Sequence, residues 1–143
     1  MATSTVPAVV RALHDLLLTA DWPLRPPQVT LGPTRDMERE VVMIGATTGD
    51  QEWAQIGGRK RDEDYTVELY VLVARPGDTA LEAMDRAWEL FAVVEDTLRT
   101  NYAPAAETGV LWTEVQRPEG QPTVEDEGHG HVVQSAIRVR ARI

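Results

Sequence analysis

The clearest pattern in the chain is strict alternation that runs directly into a long helical segment. Apolar or aromatic side chains occupy every second position from Tyr65 to Val73, and the positions between them begin polar and become apolar only toward Ala74. A period of two is typical of a β-strand, and a strand that is apolar on both faces is covered on both. The pattern therefore predicts a central strand, half covered at its start and fully covered as it approaches Arg75-Pro76-Gly77.

A helix is predicted immediately after this strand. Asp78 or Thr79 can cap it, and Thr79 with Glu82 fits a capping box, while Asn101 and Pro104 end it. At 1.5 Å per residue the helix would be about 30 Å long. Two pairs stand at the spacing that stabilises helices, Glu82 with Arg86 and Glu95 with Arg99.

This helix carries two apolar sets that point in different directions. A helix packed on one sheet needs only one apolar face. We therefore expect part of the second set to lie under a neighbouring subunit or loop. The main stripe is Leu81, Met84, Trp88, Phe91 and Leu98, and the second set is Ala83, Leu90, Val93 and Val94.

The remaining elements are shorter. An N-terminal helix begins near Ser4 or Thr5, either of which can cap it, and the three prolines between Asp21 and Pro27 make a rigid connector. Strands are predicted at 28–32, 40–46, 51–56, 109–116 and from 131 to the end, with a hairpin loop at 45–50 and a mobile surface loop at 117–130.

This order of elements predicts the α+β class: a mixed, mainly antiparallel sheet packed by one long central helix plus an N-terminal helix. With 143 residues and 43% apolar content, the chain is expected to form one domain over 1–143. It has no apolar run of membrane-spanning length and no signal-peptide pattern at its start, so we expect a cytoplasmic protein without a membrane partner.

Charge disfavours general nucleic-acid binding, because phosphate contacts need surplus cations and the formal net charge is −9. Two local exceptions stand out. The triplet Arg59-Lys60-Arg61 lies in a glycine-led loop, 57–64, which we expect to be disordered until it contacts a partner. Arg138, Arg140 and Arg142 would lie roughly 7 Å apart on one strand face. That repulsive arrangement predicts carboxylates of the same or an adjoining subunit opposite them.

The sequence shows no catalytic constellation. His129 and His131 lie two apart beside acidic residues, but metal sites generally need three or four ligands. Neither Ser4 nor Ser135 stands in a nucleophile context, and the glycine-flanked stretch 45–50 lacks the lysine of a phosphate-binding loop. The chain has no cysteine. Catalytic, cofactor and metal sites are therefore all predicted to be absent.

The order of elements resembles that of tail terminator proteins of long-tailed bacteriophages, over nearly the whole chain. The pieces that carry the resemblance are Asp64-Tyr65-Thr66-Val67-Glu68-Leu69-Tyr70-Val71 and the stretch from His131-Val132-Val133 to Ile143. The resemblance implies an α+β subunit that assembles as a hexameric ring on the end of the tail tube. Such a ring stops tube growth and joins tail to head.

This resemblance implies a virion protein at the neck, assembled in the host cytoplasm, whose partners are further copies, the tail tube protein and head-tail connector proteins. DNA would only pass through the ring lumen. A head-tail joining (neck) protein is the closest alternative, and a small α+β enzyme or ligand-binding module with a pocket beside the mobile loop is another. The predicted interface residues are Arg59, Lys60, Arg61, Leu90, Val93, Arg138, Arg140 and Arg142.

Overall fold

A computed structural model of the chain describes residues 4–53, 60–77, 79–125 and 128–143. Its five-stranded sheet has the order β1-β2-β3-β5-β4, with β1 parallel to β2 and the other neighbours antiparallel. The elements are α1 (Val6–Leu18), β1 (Gln28–Leu31), β2 (Glu40–Trp53), β3 (Arg61–Pro76), α2 (Ala80–Thr100), a 3₁₀ helix (Ala106–Thr108), β4 (Val110–Glu125) and β5 (Gly128–Arg142).

These elements confirm an α+β fold with a mixed sheet and two helices. The description of α2 as one long central helix is not confirmed, because α2 has 21 residues and shares the covering of the sheet with α1. Thr79 caps α2 as predicted: its side chain accepts a hydrogen bond from the Glu82 backbone amide, at 3.2 Å.

The strand β3 lies at the centre of the sheet, as its alternation predicts. Val67, Leu69 and Val71 are fully buried beneath the helices. On the opposite face Leu72 and Ala74 are only half-buried, so the prediction of full coverage near Arg75 is wrong. The reason is that α1 and α2 pack into one core on the same side of the sheet, so neither of these helices covers the other face.

The orientation of α2 corrects the assignment of its two apolar sets. Leu90 and Val94, taken from the second set, are fully buried in the core, whereas Leu81 of the main stripe is 68% exposed. Ala83 and Ala87 are also fully buried, and small side chains let a helix approach a sheet closely. Leu90 therefore packs inside its own subunit and is not available for docking.

The strand β2 is longer than predicted. It continues through 45–50, where a hairpin loop was expected, and it pairs with β3 as far as Trp53 opposite Arg61. The register between β2 and β3 shifts between Ile44 and Thr47, as in a β-bulge, and the strand continues beyond the shift. The part of the predicted third strand beyond residue 53 lies outside the described residues.

The region 117–130 is also ordered differently from the prediction. Instead of a mobile loop, β4 runs to Glu125 and β5 begins at Gly128, so the two strands form an extended antiparallel hairpin. A second register shift, between Gln116 and Glu119, accommodates Pro118, which cannot donate to the ladder.

A buried carboxylate attaches α1 to the sheet. Glu63 of β3 is 2% exposed and accepts hydrogen bonds from the Thr5 amide at 2.7 Å and the Thr5 hydroxyl at 2.8 Å. The Ser4 hydroxyl also donates to Glu63, at 2.7 Å. Of the two predicted caps, Thr5 makes no side-chain cap hydrogen bond, whereas the Ser4 hydroxyl accepts one from the Val6 amide at 3.1 Å. Glu63 adds a negative charge at the helix N-terminus, which is favourable. Burial, helped by the charge of Glu63, raises the pKa of neighbouring Tyr65 to about 12.

A buried guanidinium attaches the connector to α2 and β2. Arg86 is 7% exposed and binds Glu40 through two hydrogen bonds, from Nε at 2.7 Å and from Nη2 at 3.1 Å. It also donates to the carbonyl oxygens of Pro23 at 3.1 Å and Arg25 at 2.8 Å. The main ionic partner of Arg86 is therefore Glu40 on β2. The helix spacing had predicted Glu82 as its partner instead.

We expect Arg86→Met to lower the free energy of unfolding by about 3 kcal/mol, because breaking a buried pair leaves a carboxylate poorly compensated. The matched control is Arg99→Met on the same helix, whose ion pair with Asp96 is exposed and should be worth less than about 1 kcal/mol. Urea denaturation of both variants measures the difference. Equal costs for the two substitutions would show that the Arg86 network does not anchor the connector.

Candidate subunit interface

The open face of the sheet carries a ladder of alternating charges near the C-terminus. Arg138 donates to Asp64 from Nε at 3.0 Å and from Nη2 at 2.7 Å. Arg142 binds Asp62 in the same two-pronged manner, at 2.7 Å and 3.0 Å. Arg140 lies between them, 3.8 Å from a carboxylate oxygen of each aspartate. We call these five residues the Arg-Asp ladder.

The strand register explains why the ladder forms. Antiparallel pairing of β3 with β5 sets Asp62 opposite Arg142 and Asp64 opposite Arg140, all on the face away from the helices. Diagonal neighbours on one sheet face are also within reach of long side chains, which lets Arg138 contact Asp64. The predicted pairing of the three arginines with carboxylates is thus confirmed, within the same subunit.

The two aspartates are held in their charged form by their arginines. The hydrogen bonds from Arg142 lower the pKa of Asp62 below its usual 3.8, and those from Arg138 do the same for Asp64. The same contacts raise the pKa of both arginines. Among the described residues Arg140 makes only the two longer contacts, so it is the arginine of the ladder best placed to contact a further carboxylate.

Beside the ladder the open face becomes aromatic and then apolar. The Arg138 guanidinium carbon lies 5.5 Å from the centre of the Trp112 ring, a cation–π distance. Further along β3, the Tyr70 hydroxyl donates to Glu68 at 2.9 Å, and this hydrogen bond raises the Tyr70 pKa. Leu72 and Val132 complete a half-buried apolar strip. This face therefore carries both half-buried apolar side chains and the paired charges of the Arg-Asp ladder, and a partner can contact either.

The other predicted interface residues fall in different places. Lys60 is exposed, and Arg61 begins β3, where its backbone pairs with Ile143. Residues 61–64 belong to this strand and not to the flexible loop expected at 57–64, while Arg59 lies outside the described residues. Val93 is half-buried beside a groove between α1 and α2, on the helical side of the molecule and away from the ladder.

His129 and His131 lie in different surroundings. His129 is exposed, whereas His131 is 5% exposed and neither of its ring nitrogens has a hydrogen-bond partner among the described residues. Burial lowers the pKa of His131, which favours the neutral ring. Within the described ranges no group of three or more metal-ligand side chains converges, and no helix is long and apolar enough to cross a bilayer.

Sequence reasoning missed a cleft beside the connector. It has a volume of about 650 Å³, and its rim includes Leu24, which is 96% exposed and has a positive φ of 62°. The only sequence signal was an apolar residue placed among prolines. The lining residues are Leu24, Arg25, Pro26, Met37, Glu38, Arg39, Glu40 and Arg86.

Comparison with known proteins gives a likeness of fold. No protein-family model and no curated protein matches the chain. A solved structure described as the virion of a native gene transfer agent particle contains a chain that is similar to this one, with a TM-score of 0.62. The match covers 99% of this chain and 100% of that chain at 15% sequence identity. At this identity the likeness shows a shared fold over the full length.

The ladder predicts a specific response of two carboxyl groups to acid. A depressed folded-state pKa contributes stability that is present above the unfolded value near 3.8 and is lost as pH falls through the folded value. We expect Arg142→Gln to raise the pKa of Asp62 and leave Asp64 low, and Arg138→Gln to do the reverse. Carbon-detected NMR titration of the two carboxyl groups measures this, each aspartate serving as the control for the other. Unchanged titration in both variants would refute the pairing.

Proposed function

We propose that this protein is a structural virion protein without enzymatic activity, a ring-forming tail terminator that caps the tail tube, stops its growth and joins tail to head. The observation that carries the virion role is the full-length likeness of fold to a chain of a gene transfer agent virion. The terminator role rests on the order of elements, which resembles that of phage tail terminators. The ring is proposed as hexameric on the same ground.

The arrangement of strands supports assembly into a ring. Among the described strands, β1, β4 and the part of β2 beyond Ile44 have a partner on one side only. β4 lies at one side of the sheet, and β1 with the free part of β2 lies at the other. Such edges offer backbone donors and acceptors to another chain. Contacts between two different surfaces of identical subunits close into rings when the rotation between subunits permits.

The Arg-Asp ladder is the proposed contact of the ring with the tail tube or the next subunit. Arg140 has longer contacts with the aspartates than the other two arginines of the ladder, so its charge is the most available to a partner. Lys60 and Arg61 lie at the same end of the sheet. Arg59 precedes them in the chain and is proposed to act with them. A net charge of −9 would repel DNA that passes through the ring lumen and so discourage tight binding to it.

Disruption of the gene in the particle that carries it tests this function. Because a terminator stops tube growth, we expect overlong tail tubes without heads, measured by electron microscopy, and normal tails when the intact gene is supplied in trans. Tails of normal length that fail to join heads would favour the alternative, a head-tail joining (neck) protein. Normal, infectious or transferring particles would contradict both roles.

A further inference from the structure

The part of β2 beyond Ile44 is an open strand edge. β1 pairs with β2 only as far as Ile44, and no described strand flanks 45–53 on that side. Residues 46–50 are all exposed, although alternate residues of a strand face opposite sides, so both faces of this edge are open. The stretch 45–53 contains no proline or lysine, residues that commonly protect strand edges. Its backbone can therefore pair with a further strand.

The other side of the sheet ends in β4, whose outer edge is protected at several points. The Thr113 amide donates to the Tyr102 carbonyl oxygen at 2.6 Å, and Pro118 and Pro122 have no amide hydrogen to donate. Alternate residues of an antiparallel strand direct their backbone groups to the same side, so Val115 also points outward. Val115 thus marks a short open stretch of this edge, between Thr113 and Pro118.

Strand pairing places the two open stretches at the same level. Thr47 pairs with Val67, Val67 with Ile137, and Ile137 with Val115, so these four residues form one row across the sheet. Hydrogen-bonded pairs alternate with non-hydrogen-bonded pairs along such a row. Because Val115 points outward at β4, Thr47 points outward at β2. The two strands also run in opposite directions, which antiparallel pairing requires.

An exposed tyrosine and a hollow lie beside these two edges. Tyr102 is 61% exposed and lies next to Leu98 and Val115, on the helical side of the β4 edge. A hollow of about 280 Å³ opens on the helical side of the β2 edge. Its lining residues are Ser4, Val6, Thr47, Thr48, Gly49, Asp50, Glu63 and Tyr65. A tyrosine presents an apolar ring and a hydroxyl that needs a hydrogen-bond partner, and the mixed apolar and polar lining of this hollow suits both.

We infer that β2 of one subunit pairs with β4 of a second copy, with Thr47 opposite Val115 and the Tyr102 side chain of that copy in the hollow. The occupant is a second copy because one chain supplies both halves of the contact, at one level and in opposite strand directions. Since the two surfaces differ, the contact propagates from copy to copy and can close into a ring. This inference rests on the proposed ring-forming function and adds to it the identity of the contact.

Disulfide trapping tests the pairing, because the chain has no cysteine of its own. In this register Thr48 lies opposite Glu114 of the next copy, in a non-hydrogen-bonded pair with Cα atoms about 4.5 Å apart. Within one subunit the same two residues are three strand spacings apart, about 14 Å, which is too far for a disulfide. Thr48→Cys with Glu114→Cys should therefore form covalent oligomers under mild oxidation, measured by non-reducing electrophoresis.

The matched control is Thr48→Cys with Gln121→Cys, which moves the second cysteine further along β4 and should give no covalent oligomers. Circular dichroism verifies that both variants are folded. Rings seen by native mass spectrometry, without cross-links between the cysteines at 48 and 114, would overturn the pairing and leave the proposed function in place. Equal cross-linking of the control would overturn the register. A wild type that stays monomeric at every concentration overturns both the contact and the ring.

A second variant tests the place of Tyr102. Tyr102→Ala should weaken assembly about tenfold or more, because a buried aromatic side chain carries much of the binding energy of an interface. Leu81→Ala removes a similarly exposed side chain at the start of α2 and should assemble like the wild type. Native mass spectrometry over a concentration series compares the two variants. Equal assembly of both would show that Tyr102 does not occupy the hollow.

Discussion

The structure depends on the two-sided character of β3. This strand pairs with β2 on one side and β5 on the other, and its alternate residues separate a fully apolar face from a mixed one. α1 and α2 both pack on the apolar face, and among the described residues no helix packs on the mixed face. Val67, Leu69 and Val71 thus fix the fold, and the residues between them define a surface that remains available for contacts with other molecules.

Buried charges then fix how the outer segments attach to this layer. Glu63 holds the start of α1 against β3, and Arg86 joins Glu40 to the connector backbone. Buried ionic groups are costly to desolvate, and they are retained where hydrogen bonds satisfy them, as here. Their geometric effect matters more than their net energy. They set the position of α1 and present Leu24 to solvent at a defined place beside β2.

Alternation along the chain predicted β3, because a period-two pattern reports directly on which face of a strand is buried. It did not predict that β2 would continue through Gly45, since glycine suggests a turn and only the pairing with the long β3 turns it into a bulge. The helical stripe of α2 was misassigned because large residues such as Leu81 dominate a hydrophobicity pattern. The sheet instead selects the side that carries Ala83 and Ala87.

The Arg-Asp ladder was predicted in outline, because three like charges on one strand face need partners. Its actual partners, Asp62 and Asp64, were assigned to a flexible loop, since the chain gives no local sign that β3 begins as early as Arg61. The cleft at Leu24 could not be predicted, because it depends on contacts between residues about 60 positions apart.

We propose that this chain is a ring-forming component of a virion at the end of a tail tube. Cryo-electron microscopy of intact particles that carry the gene tests it most directly. We expect a ring of copies of this fold between the tail tube and the head. Particles in which this position is filled by another protein, and in which this chain is absent, would contradict it.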